Sequence, residues 1–94
     1  MKVHVENLAS PNGNKVANQF IIFADYDDKH IVTFQSYESV IAQKVNGVLT
    51  LDKNALEYSN TTLKYLKIFL KTDKTKSELY KWIESENINV AELN

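Results

Sequence analysis

Ninety-four residues with 44% hydrophobic and 11% aromatic side chains, two glycines and one proline make a chain able to bury one core and too short for two. Eleven basic against twelve acidic residues leave a net charge of −1, which argues against both a protein that coats nucleic acid by bulk charge and an acidic DNA mimic. Cysteine is absent, so a disulfide framework, a thiolate nucleophile and a cysteine zinc site are excluded.

In chain order, Val3 and Val5 alternate with Lys2, His4 and Glu6, the pattern of a short strand (about 2–7) whose valines face the core. Ser10-Pro11-Asn12-Gly13-Asn14 collects turn-forming residues. The segment 16–24 follows and contains Phe20-Ile21-Ile22-Phe23-Ala24, a continuous apolar run that reads as a central strand buried on both faces. Asp25 to Lys29 is expected to be a hairpin loop, and a strand resumes at His30 with Val32 and Phe34 on one side and Ile31, Thr33 and Gln35 on the other. Ser36-Tyr37-Glu38-Ser39 interrupts it. The reading adopted is a bulge in one long strand, 30–45; the alternative is a single helical turn before the next strand.

Asn46-Gly47 is the strongest local signal, a two-residue type I′ turn that pairs Val45 with Val48 and starts a strand over 48–52. That register puts Val40, Ala42, Leu49 and Leu51 on a core face, with Lys44 reaching water from it. Helical spacing begins after Tyr58, with Ser59 as N-cap and Leu63, Leu66, Phe69 and Leu70 as the apolar stripe of a helix over about 60–71. Thr75-Lys76-Ser77-Glu78 is a capping box opening a second helix, about 76–87, with Leu79, Trp82 and Ile83 inward and Tyr80 a further candidate for that apolar face. Residues 87–94 are expected to fray. The fold class is α+β: an antiparallel β-meander of about four strands packed against two C-terminal helices, in one domain.

Chemistry-bearing patterns are few. His4 and His30 sit in strands with no partner implied by spacing, and Asp25, Asp27 and Asp28 lack the glycine and distal glutamate of a calcium loop, so a solvated hairpin tip is the better account. No catalytic set, cofactor site or metal site is expected. Binding surfaces are the remaining candidates. Lys64, Lys67, Lys71 and Lys74 recur at helical spacing and could meet phosphates or an acidic protein, although all eleven basic residues are lysine and none offers a bidentate guanidinium. The ordinary account of such a stripe is a solvated helix face. Tyr37, Tyr65, Tyr80 and Trp82 are the aromatic candidates, because Tyr and Trp bring large contact area at low entropic cost.

Val16-Ala17-Asn18-Gln19-Phe20, Phe34-Gln35-Ser36-Tyr37 with Ile41-Ala42, and Tyr58-Ser59-Asn60-Thr61-Thr62 with Tyr65 and Phe69-Leu70 give the chain a resemblance to a group of small uncharacterised proteins encoded by bacteriophages and related mobile elements. The resemblance covers about residues 10 to 71 and omits the second helix. It carries no activity and implies only provenance, a phage-type accessory product.

The expected function is therefore non-enzymatic: binding and modulating a host or phage protein, inhibition of a host defence nuclease such as a CRISPR effector being one concrete form. The alternative is a nucleic-acid-binding accessory protein using the lysine stripe. Homo-oligomerisation is left open. Met1 to Ser10 lacks the apolar run of a signal peptide and no stretch approaches membrane-spanning length, so a cytoplasmic location in the host cell is the expectation.

Overall fold

Each hairpin of the meander is closed by residues that supply positive φ where the turn demands it. Asn46 (φ 50°) and Gly47 (φ 84°) fulfil the type I′ requirement, and the Asn46 side chain also accepts from the His30 N–H at 2.8 Å. Asp27 (φ 52°) turns the chain between the second and third strands, so the expected Asp25–Lys29 loop shrinks to two residues.

The computed structural model describes all residues, Met1–Asn94. The elements are β1 (Lys2–Ala9), β2 (Lys15–Tyr26), β3 (Lys29–Ser36), β4 (Ser39–Val45), β5 (Val48–Asp52), α1 (Asn60–Leu70), α2 (Lys76–Ser85) and β6 (Asn89–Ala91). They form an α+β fold with one mixed sheet of six strands in the order β1-β2-β3-β4-β5-β6, both helices lying against one face. Four strands were expected.

Two corrections account for the difference. The expected single strand 30–45 is two strands, because Tyr37 adopts a left-handed backbone (φ 54°) and closes a tight turn with Glu38, while its N–H donates to the Asn18 carbonyl at 2.7 Å. The tail expected to fray supplies β6, which pairs in parallel with β5 after the helices have carried the chain back across the sheet. Asp52 holds that tail: its carboxylate accepts from the Leu93 N–H at 3.1 Å and the Asn94 amide at 3.2 Å.

A bulge does exist, displaced from the expected place. Phe34 lies opposite Ala42 and Gln35 opposite Val40, leaving Ile41 as the extra residue. Ile41 is fully buried and Val40 is turned to the other face with Gln35, so Val40 is not the core residue expected, whereas Ala42 and Leu51 are. Leu49 is half-buried against the core.

The core lies between sheet and helices. Phe34 stacks on Phe69 of α1 with ring centroids 5.7 Å apart, Leu66 and Leu79 are fully enclosed, and Ala55 and Leu56 close the end under α2. Ser59 caps α1, accepting from the Thr62 N–H at 3.0 Å, and the Thr75–Glu78 capping box forms at α2. The helices run to Leu70 and Ser85, and α1 ends on Lys71 in the left-handed region (φ 58°).

Candidate functional site: an uncovered sheet face

Helices cover one face of the sheet, and nothing in the chain covers most of the other. Register fixes which side chains share the open face, since residues directly opposite across a ladder point the same way. One row crosses five strands as Val3, Ala24, Ile31, Val45 and Val48, each opposite the next. The second row is Val5, Ile22, Thr33, Gln43 and Thr50, with the Gln43 amide donating to the Thr33 hydroxyl at 3.1 Å. A third, shorter row holds Asn7, Phe20, Gln35 and Val40. Val3, Val5 and Val48 are 57%, 53% and 58% exposed. The first strand's valines, expected to face the core, are on the open side.

Charge is distributed opposite to the usual pattern. A sheet with one solvated face normally turns charge outward and apolar groups toward its helices. Here no charged side chain stands in any of the three rows, while Lys2, His4, Glu6, Asp25, His30 and Lys44 project on the helix side by the same register. They occupy the part of that side beyond the helices or find local partners. His30 meets Asp25, His4 lies 3.5 Å from Glu6, and the Lys44 ammonium sits 5.2 Å over the Phe69 ring. The two-sided apolar character of Phe20–Ala24 thus has a cover on one side only: Ile21 packs against the core, and Phe20 and Ile22 do not.

The residues singled out from the sequence are scattered by the fold. Lys64 and Lys67 line an open hollow with Asn60, Leu63 and Asp73, whereas Lys71 and Lys74 line another, of about 200 Å³, with Leu79 and Trp82. Tyr65 is buried in the core beneath the Lys64 ammonium, 5.5 Å away, and is closed to a partner. Tyr80 is exposed, and its hydroxyl donates to Glu57, which also pairs with Lys76 at 2.8 Å. That bond, then burial, raises the Tyr80 hydroxyl above its ordinary range. Tyr37 stands 55% exposed at the β3–β4 turn and lines neither lysine hollow.

The three segments that carry the resemblance do meet. Asn18 accepts from Tyr37, the Ser36 and Thr62 hydroxyls are 2.9 Å apart, and Thr62 is held by the Ser59 cap. Gln19 lies opposite Ser36, 1% exposed, with neither amide atom hydrogen-bonded. This cluster ties the sheet to the start of α1, an architectural role.

Asp52 is the most densely hydrogen-bonded ionisable group. Burial alone would raise its carboxyl, but the Leu93 and Asn54 N–H groups, the Tyr58 hydroxyl and the Asn94 amide together hold it below the usual aspartate range. All four donors belong to the chain itself, so the carboxylate is structural. No group of three His, Cys, Asp or Glu side chains converges as a metal holder, and no helix is long and apolar enough to cross a membrane.

The open face carried a signal in the sequence: Val3-x-Val5 alternation and the unbroken run of β2 both call for apolar surroundings. Their placement outside the chain's own core required the register. No curated protein and no solved structure matches the chain. A family model described as a family of unknown function (DUF8033) matches residues 3–85, further in both directions than the resemblance read from short segments and including α2, so the chain belongs to that family.

Proposed function

We propose that the protein is a non-enzymatic binding module that works by protein–protein contact through its uncovered sheet face. The observation that carries this reading is the inverted distribution of charge: three rows free of charged groups on the open side, six titratable or charged side chains on the helix side. A contiguous apolar patch of more than a few hundred Å² marks an interaction surface. In its fuller form the proposal is a phage-type accessory protein that modulates a host protein, such as a defence nuclease; the sequence resemblance alone supports that form.

Affinity capture with the wild-type chain and with Ile22→Lys tests the reading. It predicts a protein, foreign or an untagged copy of the chain, bound in stoichiometric amount by wild type and lost from the variant. Equal recovery by both, or no recovery, contradicts it.

The nucleic-acid reading draws on one feature, the hollow where Lys71 and Lys74 flank Trp82. It is weakened by Asp73 beside Lys67 and by the burial of Tyr65. Loss of salt-dependent binding to single-stranded probes in Lys71→Glu/Lys74→Glu would favour it.

A further inference from the structure

We propose that the partner fitting the uncovered face is a second copy of this chain, the two sheets packing face to face into a four-layer dimer with the helices outermost; this rests on the binding-module reading above. Area and charge complementarity carry the assignment.

Five strands about 4.8 Å apart and three same-face rows about 6.8 Å apart outline a patch of about 24 by 20 Å, roughly 500 Å² in projection. Two such faces bury about 1,000 Å² before side-chain relief and rims are counted, which is the threshold of a specific interface and the expected size for a reversible dimer.

Self-pairing also satisfies the electrostatics. An isologous contact sets one patch against a copy of itself, residue i meeting j and j meeting i, so a face carrying one sign of charge would repel itself. This face has no charge in its three rows, and the nearest cations by register lie at opposite rims, Lys15 opposite Ala9 and Lys29 opposite Tyr26, the latter 5.8 Å over the Tyr26 ring. The row Val3–Ala24–Ile31–Val45–Val48 is apolar throughout and can pack on its own image at the usual spacing of about 10 Å between stacked sheets. Pairing through the β1 edge is the poorer geometry, because that edge carries Lys2, His4 and Glu6 and is distorted where Leu8 leaves the ladder.

Sedimentation of the purified chain, from low micromolar to near-millimolar concentration, is the test. The expected result is a mass rising from 10.8 kDa toward twice that value. Ile22→Lys should keep the monomer mass throughout, with its circular dichroism unchanged. Val48→Lys serves the same purpose at a site already 58% exposed, where a folding defect is not expected, and should weaken the dimer at least tenfold. Lys64→Glu, on the helix layer, should dimerise like wild type. A wild-type chain monomeric at every concentration overturns the second-copy inference and leaves the capture experiment to decide the binding-module reading. A dimer indifferent to both lysine substitutions on the open face overturns the face-to-face inference, and the capture experiment again decides the binding-module reading.

Discussion

Replacing Asp52 by asparagine exchanges one carboxylate oxygen for an NH2 group and removes one of the two acceptor atoms that hold the C-terminal segment and the β5–α1 loop. In the native chain one carboxylate oxygen accepts from the Asn54 N–H at 3.0 Å and the Tyr58 hydroxyl at 2.8 Å, and the other accepts from the Leu93 N–H at 3.1 Å and the Asn94 amide at 3.2 Å. An asparagine keeps one acceptor oxygen, so its amide must face a pair of donors in either orientation. Tyr58 can rotate to accept, which leaves one donor without a partner and converts the surviving contacts from charged to neutral. Hydrogen bonds to charged groups contribute about 1.5–3 kcal/mol each, and Asp52 is only 2% exposed, so solvent recovers little. The expected loss is about 3 kcal/mol at neutral pH, a large part of the roughly 5–14 kcal/mol ordinary for a domain of this size. Because the folded carboxyl titrates below its unfolded value of about 3.9, the ionised group's stabilisation is complete above that value and is lost as pH falls through the folded one. Urea denaturation of both proteins from neutral pH down to pH 2 is the assay. The curves should lie about 3 kcal/mol apart at pH 7 and converge in acid. A separation below about 0.5 kcal/mol at pH 7, or one independent of pH, refutes the reasoning.

Three further substitutions probe separate features. Gln19→Met removes a buried amide with no hydrogen-bond partner while keeping an unbranched side chain of similar size, and should raise the urea midpoint by the equivalent of about 1–2 kcal/mol; a lower midpoint would contradict this. Lys71→Gly relieves a left-handed C-cap position and should stabilise by about 0.5–1 kcal/mol, read from the thermal midpoint. Thr75→Ala breaks the capping box and should cost about 1 kcal/mol, with the loss of helical signal at 222 nm beginning at a lower temperature.

What was legible in the sequence was local. Asn46-Gly47 specifies its turn because both residues tolerate positive φ, and Ser59 and Thr75 declare helix starts because the groups they satisfy lie within one turn. The β3–β4 turn escaped because it places Tyr37, not a glycine or asparagine, in the left-handed region, held there by a bond from a distant strand. The parallel strand β6 escaped for a similar reason: what fixes it is the pairing of Asn89–Ala91 with Thr50–Asp52 and the grip of Asp52 on Leu93 and Asn94, contacts that no local window contains. One extra residue, Ile41, was enough to reverse the face assigned to Val40.

The candidate site was legible as composition and hidden as place. The β2 run announces burial on two sides, and Val3 and Val5 announce an apolar face, but only the register shows that these are the same face and that the helices lie on the other. The lysine and tyrosine candidates followed from residue type and helical spacing. Neither reveals that Tyr65 points into the core or that Lys67 and Lys71 line different hollows.

Isotope-filtered NOE spectroscopy on an equimolar mixture of labelled and unlabelled chain, at a concentration where the dimer is the expected species, tests most directly whether the uncovered face is where one copy of this chain meets another. Intermolecular contacts should appear at the methyl groups of Ile22, Ile31 and Val45 and be absent at Leu66 and Leu79, which the helices enclose. A spectrum without intermolecular contacts at the three open-face methyls, or with contacts only from the helical layer, would contradict the account.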